Sequence, residues 1–99
     1  MLESKYQAAL IKKIEHRLPG CLITMNDANH RQGLPDLTIF YKERWAWLEV
    51  KASEKSRERP NQRHYIETCT SFSAFIFPEN EEAVLMELED FMGVSNAAI

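Results

Sequence analysis

The chain has little of what would place it in a membrane or outside the cell. Its two cysteines, Cys21 and Cys69, stand at no metal-ligand spacing, so free thiols in a reducing compartment are expected rather than a zinc site or a disulfide. No apolar run approaches the length of a membrane span. Residues 1–5 contain no apolar signal region, so we expect an intracellular, cytoplasmic protein.

Glycine and proline are also scarce, with three and four residues among 99. No repeat, linker or low-complexity segment interrupts the chain. The apolar share of 44% is ordinary for a globular protein. A chain of this length forms one core near the small end of what folds alone, so residues 1–99 are expected to be a single domain.

Basic charge is in deficit overall, with a formal net charge of −3, but its distribution is uneven. Six of the 15 acidic residues lie between positions 79 and 90, where there is no base. The other positions carry twelve bases against nine acids. An acidic C-terminal helix that faces away from nucleic acid would reconcile this total with DNA binding, and an ordinary solvated charged surface is the alternative.

Hydrophobic periodicity and turn residues divide the chain into seven elements. In chain order they are a helix at 4–17, strands at 21–25, 37–41 and 45–51, a helix at 60–70, a strand at 72–77 and a helix at 81–92. Pro19-Gly20 ends the first helix, and Pro60 suits the first turn of the second. The order αβββαβα predicts one mixed α/β domain.

Two acidic residues, Asp36 and Glu49, stand at the predicted hairpin. Asp36 precedes the strand that begins at Leu37 and Glu49 lies within the next strand, so both carboxylates can reach one end of the hairpin. Lys51 falls on the same strand face as Glu49, because side chains alternate with period two. Two carboxylates can hold a hard divalent cation beside this ammonium, as phosphodiester hydrolysis requires. The sequence therefore predicts a small nuclease that depends on Mg²⁺, with Mn²⁺ able to substitute.

Each of these residues also has a structural explanation. Asp36 follows Pro35, and Pro-Asp is common turn chemistry. Glu49 lies among apolar residues, where a carboxylate is costly unless it is paired or metal-bound, so a salt bridge to Lys51 or to an arginine is the alternative. A lysine at a strand end is usually solvated. The occurrence of all three residues together favours the metal site.

Three segments of the chain together resemble the PD-(D/E)xK nuclease superfamily. They are Gly33-Leu34-Pro35-Asp36-Leu37, Trp47-Leu48-Glu49-Val50-Lys51 and Arg59-Pro60-Asn61-Gln62. Within the superfamily the chain is most similar to the VRR-NUC group, and Glu3 and Gln7 on the first helix also fit that group. Its members are small stand-alone viral and bacterial proteins and the C-terminal nuclease domains of larger repair enzymes. The resemblance implies a restriction-endonuclease-like αβββαβ core, here with an extra C-terminal helix.

A mechanism follows from this predicted site. The two carboxylates would each give an oxygen to Mg²⁺, and the Val50 carbonyl would give a third ligand. Glu3 would bind a second metal or a water on the first, although an acid in the first turn of a helix is also favoured by the helix dipole alone. Lys51 would position water or stabilise charge at the phosphate. Gln62 would hydrogen-bond a phosphate, that water or only a backbone group.

Basic residues gather near the motif and would grip phosphates without reading sequence. They are His30, Arg31, Lys55, Arg57, Arg59 and Arg63. The first two lie in the polar loop before the Pro-Asp turn, where a DNA strand could pass, and an ordinary polar connection is the alternative. The sequence has no helix-turn-helix or zinc module that could read bases, so recognition by shape is expected.

The sequence leaves three hypotheses open: two enzymes with different substrates, and one protein without catalytic activity. A homodimer would offer two sites of opposed polarity for symmetric cuts in a four-way (Holliday) junction, an activity that the resemblance implies for stand-alone members. Trp45 and Trp47, on the strand face of Glu49, are expected in the core or in a dimer interface rather than as base-stacking platforms. The alternatives are a monomeric flap, nicking or single-strand nuclease, and a catalytically idle DNA-binding module.

Overall fold

The computed structural model describes residues 2–27 and 31–94. Within them the chain forms three helices and one four-stranded sheet. The elements, in chain order, are α1 (Glu3–Arg17), β1 (Leu22–Met25), β2 (Leu37–Tyr41), β3 (Arg44–Val50), α2 (Gln62–Thr68), β4 (Phe72–Ile76) and α3 (Glu81–Met92). None of the helices in this described part is long and apolar enough to cross a membrane.

The sheet is mixed and has the order β1-β2-β3-β4. The first three strands pair antiparallel in sequence, whereas β4 returns parallel to β3 after α2. The β2–β3 hairpin turns at Lys42 and Glu43, with Lys42 in the left-handed region at φ 55. Because β3 and β4 are parallel, their C-terminal ends meet at the same edge of the sheet.

One face of the sheet carries the hydrophobic core. Alternate residues of β2 and β3 point to this face and are fully buried, as the period of two requires. They are Leu37, Ile39, Ala46, Leu48 and Val50. Leu10 and Ile14 of α1 and Leu85 and Leu88 of α3 pack into the same core. Truncation of one such side chain to alanine costs about 2–5 kcal/mol of stability.

The opposite face of the sheet is covered in part by α2. The rings of Trp47 and Tyr65 meet edge to face there, with centroids 6.0 Å apart. Leu22 and Phe40 continue the row of Trp45 across β1 and β2, because these three residues are cross-strand partners. Leu22 is 61% exposed and Phe40 is 42% exposed. We call the surface of Leu22, Phe40 and Trp45 the open face.

A partly buried hydrogen bond and ion pairs join α1 to α3. The Tyr6 hydroxyl donates to Glu81 Oε1 at 2.8 Å, and Lys13 Nζ lies 2.8 Å from Glu81 Oε2. Arg17 Nη1 lies 3.0 Å from Glu89 Oε1. Burial raises the pKa of Tyr6, and the Glu81 carboxylate raises it further, so the phenol stays a donor. Part of the acidic charge of α3 is therefore neutralised by bases of α1.

The predicted order αβββαβα and the mixed α/β class are confirmed, and β2 and α3 have the predicted bounds. The clearest difference concerns the second helix, which was expected at 60–70 and runs over Gln62–Thr68. Pro60 is not in its first turn, because Asn61 takes the left-handed conformation at φ 70 and the helix can begin only after it. The residues before α2 form a turn instead, and this turn shapes the candidate site.

Candidate functional site

The backbone of the loop before β2 packs closely against the backbone of the turn before α2. Gly33 has a φ of +85°, and a Cβ added to it would lie 2.6 Å from the Asn61 Cβ and 2.7 Å from the Pro60 carbonyl oxygen. Glycine alone combines this backbone conformation with so close an approach. The loop is thus docked on the turn before α2, and Asp36 and Gln62 line one cleft as a result.

Backbone amides hold Asp36 and Glu49 beside each other. The Val50 N–H donates to Asp36 Oδ2 at 2.9 Å, and the Asp36 N–H donates to Glu49 Oε1 at 3.2 Å. The hairpin register causes this arrangement, because Leu37 and Leu48 are cross-strand partners and each acid is next to one of them. The two acids therefore lie together at one end of the hairpin.

Gln62 bridges Glu49 and Lys51 inside the protein. Its Nε2 donates to Glu49 Oε2 at 2.8 Å, and its Oε1 accepts from Lys51 Nζ at 2.7 Å and from the Arg59 N–H at 2.7 Å. Lys51 Nζ also lies 3.7 Å from Glu49 Oε2. The exposed fractions of Glu49, Lys51 and Gln62 are 2%, 5% and 6%. Lys51 is therefore not a solvated strand-end lysine, and its ion pair with Glu49 is one part of a larger buried network.

Burial raises the pKa of Glu49 from 4.5 to about 8, and the neighbouring Asp36 carboxylate contributes to the same shift. The Lys51 ammonium opposes the shift but offsets only part of it. Without a cation, burial and the proximity of the two carboxylates therefore favour retention of a proton by the pair. A divalent cation on these oxygens would supply the missing positive charge and release that proton.

A cleft of about 210 Å³ opens beside this network. Its lining comes from α1, the loop before β2, β3 and the start of α2, and includes Glu3, Gly33, Asp36, Glu49, Arg59 and Gln62. The described residues contain no cluster of three or more His, Cys, Asp or Glu placed for a metal ion. Mg²⁺ keeps several waters and is often held by one or two carboxylates, whereas zinc needs three or four protein ligands. The donor set of the cleft fits hydrated Mg²⁺, and Mn²⁺ accepts the same oxygens.

Of the other two predicted ligands, Glu3 lines the same cleft and the Val50 peptide contacts Asp36. Glu3 is exposed in the first turn of α1 and lines the cleft together with Asp36. Gln7, one helical turn later, is half-buried. The Val50 N–H contact to Asp36 places the Val50 peptide next to the carboxylate. The roles of Glu3 and the Val50 carbonyl as ligands stay predictions.

Four of the predicted DNA-binding cations are exposed near the motif. They are Arg31, Lys55, Arg57 and Arg59. Within residues 2–27 and 31–94, no ion pair engages any of these four side chains. Arg59 also lines the cleft. These four charges are therefore free to meet the phosphates of a ligand.

Arg63 differs from those four cations. It pairs with Glu58 and, at 3.5 Å, with Glu67, so part of its charge is already neutralised. These pairs are exposed and contribute little to stability. His30, the remaining predicted contact, lies outside the described residues.

Asn26 is a member of the site that the sequence did not reveal. Its N–H donates to the Asp36 carbonyl at 2.8 Å, and its Nδ2 donates to the Pro35 carbonyl at 2.8 Å and to Thr38 Oγ1 at 2.9 Å. Trp47 Nε1 donates to the same hydroxyl at 3.1 Å. Asn26 thus fixes the backbone of the Pro-Asp turn. An asparagine in a polar loop carries no signal of such a role, because its partners are known only once β1 and β2 are paired.

No protein-family model, curated protein or solved structure matches the chain. The similarity of its three motif segments to the VRR-NUC group therefore remains a prediction. Function is inferred from the cleft that these segments form.

Proposed function

We propose that the protein is a Mg²⁺-dependent DNA endonuclease with a PD-(D/E)xK core of the VRR-NUC type. The observation that carries the proposal is the buried Glu49–Gln62–Lys51 network beside Asp36. Buried charges are costly, and a network that served only the fold could be replaced by apolar residues with little loss of stability. This one opens into a cleft that contains both acids. Perturbed acids in a cleft are a common sign of a functional site.

In this proposal Asp36 and Glu49 hold Mg²⁺, which when bound lowers the pKa of water and neutralises charge on the scissile phosphate. Lys51 orients the attacking water or stabilises the charge that develops on the phosphate. Gln62 holds Lys51 and Glu49 at a fixed separation through its two hydrogen bonds. Glu3, at the cleft, holds a second cation or a water.

The four free cations, Arg31, Lys55, Arg57 and Arg59, would bind the DNA backbone on either side of the cleft. Such contacts position a strand without reading its sequence. If all four neutralise a phosphate of duplex DNA, the logarithm of the binding constant falls with the logarithm of salt concentration at a slope of about −3.6.

The catalytic proposal is tested by Asp36→Asn and Glu49→Gln, which preserve shape while removing one negative charge each. We expect folded proteins that bind DNA and no longer cleave it with Mg²⁺. Glu87→Gln and Asp90→Asn are matched controls, because both residues are exposed on α3. Cleavage at a near wild-type rate by either site variant would show that the metal does not bind in this cleft. If the wild-type protein binds DNA but does not cleave it with Mg²⁺ or Mn²⁺, the alternative of a catalytically idle DNA-binding module is supported.

We propose further that the enzyme acts as a homodimer on branched DNA, with four-way junctions as the preferred substrate. The supporting observation is the open face, an apolar row of Leu22, Phe40 and Trp45 across three strands. A two-fold axis would pair this patch with its own copy. Two sites of opposed polarity would then cut symmetry-related strands.

Sedimentation of the wild-type protein and of Phe40→Lys tests the dimer. Met86→Lys, a change at another exposed apolar residue, on α3, is the control. We expect a wild-type dimer that Phe40→Lys alone dissociates, and paired symmetric nicks in a junction. A monomer at micromolar concentration, or much faster cleavage of flaps and single strands, would favour the alternative of a monomeric nicking nuclease.

A further inference from the structure

A second cavity, of about 290 Å³, adjoins the cleft at Lys51. We call it the aromatic cavity, and its lining includes Lys51, Glu54, Glu58, Arg63, Phe75 and Phe77. Lys51 belongs to its wall and donates to Gln62, which lines the cleft. The two spaces are therefore neighbours on either side of the Lys51–Gln62 pair, with Lys51 in the lining of one and Gln62 in the lining of the other.

The sheet register explains why aromatic rings lie next to the acids. Phe75 of β4 is the parallel partner of Glu49 of β3. Lys51 and Phe77 are the first residues after these two strands, and both line the aromatic cavity. The aromatic rings are thus one strand away from the carboxylate that is proposed to hold Mg²⁺.

The lining of the aromatic cavity suits a flat base better than a phosphate. Phe75 and Phe77 are half-buried and offer ring faces on which a base can stack. Glu54 and Glu58 are carboxylates that repel phosphate but accept hydrogen bonds from the amino groups of cytosine, adenine or guanine.

Arg63 already places a flat group over one of these rings. Its guanidinium carbon lies 5.1 Å from the centroid of the Phe75 ring, and Glu58 holds the guanidinium from the side. Arg63 is exposed, so it can move without breaking the core. A base could take over this stack on Phe75, with the guanidinium plane on its other side.

We propose that the aromatic cavity binds one unpaired nucleobase next to the scissile phosphate. The inference rests on the proposed nuclease function and deepens it, because it names the feature of DNA that the enzyme selects. A base within a duplex must first be unstacked at a cost of a few kcal/mol, whereas a base pair at a branch point lacks a stacking neighbour on one side and a base in a gap is already free. The cavity would therefore favour branched DNA over continuous duplex, while the choice among branched substrates rests with the proposed dimer.

The test uses DNA that carries the fluorescent base 2-aminopurine, either at an unpaired position or within a duplex. Binding is followed by anisotropy of a distant label and by 2-aminopurine emission, in the Asp36→Asn variant with EDTA so that the DNA stays intact. Phe77→Ala and Phe75→Leu each remove one aromatic ring from the cavity, the first by truncation and the second by replacement with an aliphatic side chain. Phe72→Leu is the matched control, because Phe72 lies on the same strand but packs against Phe91 of α3.

We expect the emission of the unpaired 2-aminopurine to change when the protein binds, because the base exchanges its DNA neighbours for phenylalanine rings, and to stay unchanged within a duplex. Phe77→Ala and Phe75→Leu should abolish this change and weaken binding of the unpaired substrate about tenfold, while Phe72→Leu keeps both. Binding by anisotropy with no change in emission at any position would overturn the base site and leave the nuclease proposal intact. Absence of both DNA binding and cleavage in the wild-type protein would overturn the two together.

Discussion

The ammonium of Lys51 lies 2.7 Å from Oε1 of Gln62, with both side chains buried. The other end of the same amide donates to Glu49. A single neutral side chain therefore satisfies a buried cation and a buried acid at once. Its amide group has one donor end and one acceptor end, and each meets the partner of the correct kind.

Gln62→Ala should expose the importance of this bridge. Because two buried ionisable groups lose a hydrogen bond, we expect the free energy of unfolding to fall by about 1–3 kcal/mol and cleavage to be lost. Urea denaturation and a cleavage assay measure the two effects. Glu87→Ala truncates an exposed side chain on α3, outside the lining of the cleft, and serves as the control. Equal behaviour of the two variants would show that the bridge has no special role.

Gly33→Ala should disrupt the docking of the loop on the turn before α2. The added Cβ would clash with Asn61 and would also strain the backbone at its φ of +85°. Gly20→Ala is a matched control, because Gly20 has a φ of +89° but no heavy atom within 4 Å of a new Cβ. Backbone strain alone costs about 1–3 kcal/mol in either variant. Gly33→Ala should therefore lower the melting temperature more than Gly20→Ala does. Only Gly33→Ala should reduce cleavage. Equal falls in melting temperature for the two variants would mean that Asn61 moves aside for the new Cβ at little cost.

Glu49 makes the stability of the metal-free protein depend on pH. Its pKa is raised from 4.5 in an ordinary chain to about 8 in the fold, so the folded state binds the proton more tightly. The stabilisation from this proton is complete below about pH 4.5 and is lost as the pH rises towards 8. We expect Glu49→Gln to flatten this dependence and to be the more stable protein at pH 8.

Urea denaturation in EDTA at several pH values between 5 and 9 measures this difference. Glu87→Gln, on the surface of α3, should follow the wild-type curve. Calorimetry should also detect proton release when Mg²⁺ binds at pH 7, because the cation requires the ionised acid. Parallel curves for Glu49→Gln and the wild type would exclude a raised pKa at this position.

Asn26→Ala should reduce cleavage through the position of Asp36. It removes the two side-chain bonds to Pro35 and Thr38, so the Pro-Asp turn loses part of its support. We expect a higher Mg²⁺ requirement and a slower cut, with DNA affinity unchanged. Thr24→Ala is the control, since Thr24 lies on β1 two residues before Asn26 and is exposed. If Asn26→Ala needs no more Mg²⁺ than the wild type, Asn26 serves the fold alone.

Local patterns predicted most of the fold. The β2–β3 hairpin and α3 have strong periodicity and clear turn residues, and their positions were predicted closely. The start of α2 was wrong because Asn61 adopts its left-handed conformation where the Gly33 loop docks on it. That contact joins distant parts of the chain, so no local pattern indicates it.

The same limit applies to the candidate site. The types and spacing of Asp36, Glu49, Lys51 and Gln62 predicted that they belong together, and they line or adjoin one cleft. The parallel pairing of Phe75 with Glu49 has no local signature, because it depends on the return of the chain through α2. The part of the site that the parallel β3–β4 pairing brings together was therefore visible only in the fold.

The hydrogen bond from Tyr6 to Glu81 has a consequence for how the protein is made. It joins residues 75 positions apart, so α1 emerges from the ribosome long before α3 can meet it. Until then, the apolar side of the first helix has only the sheet to cover it, and contacts so distant in sequence form slowly. Every segment of the cleft is synthesised earlier than α3, yet the helix that completes the core arrives last. Protection of the nascent chain by a chaperone during that interval would raise the yield of active protein.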